Sequence, residues 1–502
     1  MEAFPEGNRD LMRPWPRLSL LSAFLWLASG AVGLHAQDRR APAPAGPGEK
    51  LSLILGRPTD RSVAVSVLSA AEIEAFVDYG AGKTEVRKSA AGVPFEFEIG
   101  SLKPDTRYPC RLLSRTPGAG DFRAGPEGAF QTQRAPGRAF TFALQGDSHP
   151  EREGKMYSPD LYAQTMRNVA KDQPDFYLTL GDDFSIERLI ERQMLSQPAV
   201  DRVYACQRGY LGLVGRSSAL FLVNGNHEQA ARYLLDGTET SAAVLAGRAR
   251  LRFYPLPAPD AFYGGDAEEV PHLGKPRDYY SWTWGDALFA VIDPYWHSAA
   301  AVDNEAGAGR PEKGEKNRGG KNRDLWGSTL GDAQYRWLAR TLTESRARWK
   351  FVFSHHVLGT GRGGVEMASL GEWGGKDRRG VSSFAEKRPG WERPIHDLMV
   401  KAGVTIFFMG HDHLYARQEL DGIVYQSSPN PADPTYQAFN REAYRSGDIL
   451  PNSGHLRVKV APDEVRVDYV RSFLPADEGP GKANGAVAHS YTITSARKGE
   501  KP

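Results

Sequence analysis

Five short apolar runs in this chain stop abruptly at polar residues able to bind metal ions, and that pattern restricts the folds open to it. FTFALQ runs into Gly146-Asp147-Ser148-His149, and FYLTL into Gly181-Asp182-Asp183. ALFLV is followed by Asn224-Gly225-Asn226-His227-Glu228, KFVFS by His355-His356, and VTIFFM by Gly410-His411-Asp412-His413. Short β-prone runs bounded in this way read as buried strands. Helical patterns such as DAQYRWLARTLTESRAR and WERPIHDLMVKAG lie between them. The expected fold is therefore α/β, with ligand-bearing residues in the crevice beyond the carboxyl ends of the strands. Glycine stands ahead of the polar residue in four of the five clusters, where a tight backbone turn is expected.

Each cluster has a bland explanation when taken singly. Asp147 and Asp182 could cap helices, Asn226 could be a turn residue, and His355 and His356 could lie on a wet strand end. Five clusters in order, holding six of the chain's 12 histidines, argue instead for one centre. Carboxylate, imidazole and amide donors without thiolate suit Zn, Mn or Fe. Two such ions about 3.5–4 Å apart are the arrangement that supports displacement at phosphorus.

The ordered set Asp-x-His, Gly-Asp, Gly-Asn-His-Glu, His, Gly-His-x-His, from Asp147 to His413, resembles the calcineurin-like metallophosphoesterase superfamily. The resemblance implies a four-layer α/β/β/α sandwich with a binuclear centre. It implies hydrolysis of phosphate mono- or diesters by in-line attack of a metal-bound hydroxide. Asp147, His149 and His413 would bind the first ion, Asp182 would bridge, and Asn226, His355 and His411 would complete the second. His227 would be the catalytic residue, steadying the transition state or protonating the leaving oxygen. Asp183, Glu228 and His356 would touch substrate or support the ligands, with Asp183 or Glu228 orienting His227. Asp412 receives no metal. If the HDH segment is extended, His411 and His413 point the same way and reach two adjacent ions.

A β-sandwich ahead of the catalytic region resembles the purple acid phosphatase arrangement. Two departures stand out: His149 replaces the glycine of the purple enzymes' Asp-x-Gly, and Ser185 stands where they carry a tyrosine. A colourless Mn, Zn or Fe-containing centre is expected. Weaker bets fall on Arg362 as a phosphate contact, with a solvated loop arginine the simpler reading. His297 is read as a surface residue and His396 as structural.

The rest of the chain sets the domain plan. Met12 onward reads MRPWPRLSLLSAFLWLASGAVGLHAQ, a signal-peptide pattern, so 1–36 is read as a leader with its true start at Met12. A Pro/Ala/Gly linker covers 37–49. Alternating strands with turn residues every ten or so positions make 50–135 a small all-β sandwich, like a fibronectin type III domain, with Tyr108 of LKPDTRYPCRL at a tyrosine corner. The catalytic region spans 136–475 and a tail 476–502. Gly-rich loops at 305–323 and 359–380 are read as surface insertions, the second a substrate rim or a mobile loop. Lys and Arg number 63 against 61 acids, which leaves no basic excess for nucleic acid. Two cysteines exclude a disulfide framework. The expected location is secreted or periplasmic, and the expected partner is a phosphate ester. A protein-phosphatase-like signalling role conflicts with the leader. A cell-surface binding module with a non-catalytic metal site is the other reading.

Overall fold

The computed structural model describes residues 51–299, 301, 324–357 and 362–495. The expected leader and linker, the 305–323 loop and positions 359–361 of the second loop lie outside the described residues.

Strands β1 (Leu51–Gly56), β2 (Val63–Ser69), β3 (Ile73–Asp78), β4 (Arg87–Ser89), β5 (Phe95–Ile99), β6 (Arg107–Arg115) and β7 (Arg123–Gln131) come first. They form two antiparallel sheets, ordered β1-β2-β5 and β4-β3-β6-β7. Val63, Val65 and Val67 share one face of β2 and pack with Val77, Phe97 and Leu112 between the sheets. The Tyr108 hydroxyl accepts the Lys103 N–H at 2.8 Å.

The region after the sandwich begins with β8 (Phe140–Gln145), α1 (Pro159–Asp172), β9 (Phe176–Thr179), α2 (Glu187–Glu191), α3 (Gln197–Gly215), β10 (Ala219–Leu222) and α4 (Ala242–Phe253). It continues with β11 (Gly264–Gly265), β12 (Tyr280–Trp284), β13 (Ala287–Val291), α5 (Gly331–Glu344), β14 (Trp349–Phe353), α6 (Gly371–Gly374), α7 (Phe384–Lys387) and α8 (Ile395–Ala402). Then follow β15 (Ile406–Met409), β16 (Tyr415–Leu420), β17 (Ile423–Ser427), β18 (Asp448–Leu450), β19 (Gly454–Val460), β20 (Glu464–Arg471) and β21 (Val487–Thr494). One sheet runs β10-β9-β8-β19-β20-β21 and the other β11-β12-β13-β14-β15-β17-β16-β18. Val487–Thr494, in the stretch read as a tail, is the outer strand of the first sheet, paired with β20.

Period-two alternation sets the layers. Phe142 and Leu144 of β8, Phe351 and Phe353 of β14, and Ile406 and Phe408 of β15 face a shared core between the sheets. Phe142 meets Phe289 edge-on at 5.2 Å. Their neighbours Ala143, Val352, Phe407 and Met409 face outward, yet they are buried too. Strands apolar on both faces need cover on both. Helices α1, α3 and α4 cover the first sheet, and α5 and α8 the second. This is the four-layer α/β/β/α arrangement the motifs implied.

The sandwich is bolted to the region that follows it. Arg208 of α3 is fully buried and donates to Ser52 Oγ, Ser66 Oγ, Ser66 O and Phe253 O. The connecting stretch is tied as well: Arg134 grips Asp175 through both oxygens, at 2.8 and 3.0 Å. Both cysteines are free, Cys110 buried and Cys206 partly so.

Candidate metal centre

Strands β8, β9 and β10 are mutually parallel, as are β13, β14, β15 and β17. Their carboxyl ends therefore open at one edge, and the five polar clusters meet there. Asp147 and His149 follow β8, Asp182 follows β9, Asn226 and His227 follow β10, His355 follows β14, and His411 and His413 follow β15. Three groups of potential ligand atoms each lie within 4.8 Å of one another: Asp147, His149 and His413; Asp147, Asp182, His355 and His411; and His149, Asp182 and the less buried His227. The first two hold six residues in all. All six of these side chains are buried.

Each carboxylate spends one oxygen on the backbone and aims the other inward. Asp147 Oδ1 accepts the His411 N–H at 2.7 Å, and its Oδ2 lies 2.9 Å from His413 Nε2. Asp182 Oδ1 accepts the His227 N–H at 2.9 Å. Its Oδ2 is buried without a hydrogen-bond donor, 3.1 Å from His355 Nε2 and 3.5 Å from His149 Nε2. The ring nitrogens also converge, with His149 Nε2 3.0 Å from His413 Nε2 and His411 Nδ1 3.2 Å from His355 Nε2. The outward nitrogens are anchored. His149 Nδ1 meets Glu151 Oε1 at 2.8 Å, and His355 Nδ1 donates to Leu180 O at 2.7 Å. Such anchoring turns the opposite lone pair inward, as metal-binding histidines require.

The electrostatics fit a cation cage. Burial would raise the Asp147 carboxyl, but His355 and His413 hold it well below its usual range. Burial likewise opposes the ionised form of Asp182, which His355 and His227 hold low. Against burial, Glu151 and Asp147 lift His149 to about 10, and Asp182 and Asp147 lift His355 to about 10. Burial wins at His413, which falls to about 4. Two carboxylates in a dry basin hold positive charge on imidazoles, a role that cations take over with release of protons. A buried acceptor without a donor, converging imidazoles and oxygen-nitrogen donors suit Mn, Zn or Fe. Asn226 sits between Gly225 and His227 and lines a small cleft with Tyr233 and Tyr295.

The backbone reaches this geometry by left-handed turns. His149 (φ 53°), Asp182 (φ 60°), His411 (φ 68°) and His413 (φ 53°) all lie in that region, which Asp and His tolerate better than most residues. The HDH segment is thus a tight turn, not the extended stretch its i, i+2 spacing suggested. Nor do the glycines act alike. Gly181 does take a positive φ of 96°. Gly410 is needed for space, because a Cβ there would sit 2.5 Å from Asp147 Oδ1.

Around the ligands, Glu228 accepts the N–H groups of Asp182, Asp183, Phe184 and Gly225. Asp183 accepts from Ser148 Oγ and Gln145 Nε2, and burial beside Glu228 pushes it up to about 8. Both are spoken for, and neither has a contact with the His227 ring. That place is taken by Glu187 of α2, whose Oε1 lies 2.9 Å from His227 Nδ1. Sequence reasoning missed it; the only signal was an acid at the start of a helix five residues beyond Asp182. His356 Nδ1 faces the Tyr295 hydroxyl at 3.4 Å. Asp412 turns away from the centre to Tyr444 (2.6 Å) and the Gly363 N–H (2.9 Å). Arg362 bonds to His411 O and to Asp412, with about a third of its side chain exposed. His297 lies by Glu268, and His396 is held by Tyr425 and Asp421.

Comparison with known proteins agrees with this geometry. No curated protein sequence matches the chain. Among solved structures, PhoD superposes with a TM-score of 0.57 at 15% identity, covering 88% of this chain and 90% of its own. A purple acid phosphatase from yellow lupin (Lupinus luteus) seeds gives 0.55 at 14%, covering 88% and 74%. At these identities the likeness concerns the fold. The sequence profile of the calcineurin-like phosphoesterases matches residues 140–415, more than half of the chain and every cluster described above, and the chain belongs to that family.

Proposed function

We propose that this protein is a binuclear metallophosphoesterase that hydrolyses phosphate monoesters or diesters. The observation that carries the proposal is the convergence of six buried ligand side chains beside a histidine with its own carboxylate. Asp147, His149 and His413 would hold the first ion, and Asn226, His355 and His411 the second. Asp182 spans both: its inward oxygen lies between His149 and His355. Ions held there would supply Lewis acidity toward a phosphoryl group and toward the attacking water at neutral pH. His227 stands at the rim of the cluster, 4.0 Å from Asp182 Oδ2, and donates a proton to the leaving oxygen while Glu187 holds its ring. An intact ligand set with that pair favours an enzyme over a binding module. With Ser185 in the tyrosine position of the purple enzymes, the loaded protein is expected to be colourless.

The leader pattern at 12–36 supports a secreted or periplasmic location, and the three-plus-four-stranded sandwich with the Tyr108 bond back to Lys103 supports a fibronectin III-like type. Among the described residues no helix is long and apolar enough to cross a membrane. The test is to load the protein with Mn, Zn or Fe and assay p-nitrophenyl phosphate and bis-p-nitrophenyl phosphate. Turnover of at least one, with two ions per chain by elemental analysis, is expected. Inactivity on both with every metal, or one ion per chain, would refute the reading.

A further inference from the structure

Arg152 closes the 3-10 turn Pro150–Arg152, directly after the ligand His149. Its Nη2 lies 3.2 Å from His227 Nε2. The guanidinium is steadied from behind, with Nε 3.3 Å from Glu151 Oε1 and Nη1 3.2 Å from Met156 Sδ. About a third of the side chain (31%) remains exposed, so the group sits at the mouth of the centre and not inside it.

Arginine offers only donors and does not lose its proton in proteins. The guanidinium lies against His227 Nε2, the ring nitrogen that the phosphoesterase reading turns toward the leaving oxygen. An anionic phosphoryl oxygen delivered to that nitrogen enters the place beside the guanidinium and can accept from it. The neighbouring acids do not fill the place: Glu151 is engaged with His149 Nδ1 and Glu187 with the far side of His227.

The count of oxygens then separates substrates. A phosphomonoester dianion has three terminal oxygens and a diester two. If two face the ions, only the monoester keeps a charged oxygen for Arg152. A diester must put an esterified oxygen there, a poor partner for a guanidinium. We propose that Arg152 grips the third terminal oxygen of the phosphoryl group and makes the site select phosphomonoesters over phosphodiesters. This rests on the phosphoesterase reading above.

The experiment measures kcat/KM for p-nitrophenyl phosphate and bis-p-nitrophenyl phosphate, and the inhibition constant of inorganic phosphate, in wild type, Arg152→Ala and Arg152→Lys, with metal content determined for each. Wild type should favour the monoester. In Arg152→Ala the monoester-to-diester ratio should fall by about 10- to 100-fold, mostly through KM, and phosphate inhibition should weaken by a similar factor. Arg152→Lys should recover part of both, because it keeps the charge and loses the fork. An equal fall on both substrates, a wild type that prefers the diester, or loss of metal from both variants would overturn the proposal and leave the phosphoesterase reading standing. Inactivity of loaded wild type on both substrates would overturn that reading and this proposal with it.

Discussion

His227 shows how much of this site's chemistry is placed by one residue's neighbours. Its N–H is tied to Asp182, and its ring lies between Glu187 and Arg152. Replacing His227 by Ala should cost at least about 10²-fold in kcat with two ions still bound, measured by steady-state kinetics and elemental analysis. Glu187→Gln keeps the shape and removes the charge. Burial disfavours the charged ring of His227, and Asp182 and Glu187 raise its pKa against that. Without Glu187 the protonated form is held less firmly, so the alkaline limb of the pH–rate profile should move to lower pH, with kcat down by about 10- to 100-fold. An unmoved limb would mean that Glu187 serves only as packing. The seven candidate ligands stand out in the sequence because each follows an apolar strand. Glu187 and Arg152 do not, since one opens a short helix and the other ends a surface turn, and neither position differs locally from an ordinary solvated charge.

At the scale of the element, the strands were legible because each is apolar along its whole length, and the turns beyond them were not. Periodicity describes residues that repeat a conformation, whereas His149, Asp182, His411 and His413 each adopt the left-handed one singly. Their direction is set by contacts such as Asp147 Oδ1 to the His411 N–H, which join residues far apart in the chain. Gly410 is where that turn is most constrained. Gly410→Ala should leave the far-ultraviolet circular dichroism spectrum unchanged and reduce bound metal below two per chain, because the new methyl must displace Asp147. Two tightly held ions in that variant would contradict the close approach. Strand β21 escaped the sequence reading for a different reason: it is mostly exposed, and without buried side chains its pattern resembles a polar tail.

For the molecule as a whole, stability should respond to a buried cation and a charged seam. Arg208→Ala leaves the carbonyls of Ser66 and Phe253 without their donor, and should cost about 3 kcal/mol in urea unfolding. The seam lies at the end of α1, where Asp172 meets His455 and Arg457, and Arg457 continues to Asp468. Burial would raise the Asp172 carboxyl, but His455 and Arg457 hold it below its usual value, and Arg466, Ser490 and Arg457 lower Asp468 against its own burial. A depressed carboxylate stabilises the fold above its unfolded pKa of about 4, and this contribution is lost as pH falls through the folded value. Asp172→Asn should therefore be less stable than wild type at pH 7, with the gap narrowing below about pH 4, in metal-free protein. A gap independent of pH would assign the effect to packing.

Strand β8, which delivers Asp147, lies between β9 and β19, and β19 comes from the far end of the chain. A fragment trimmed to the family match at 140–415 would keep every ligand and lose that neighbour. Its β8 would become a bare apolar edge, ready to pair with the same edge of another copy. Such a fragment is expected to collect in inclusion bodies, while protein extending through residue 494 stays dispersed.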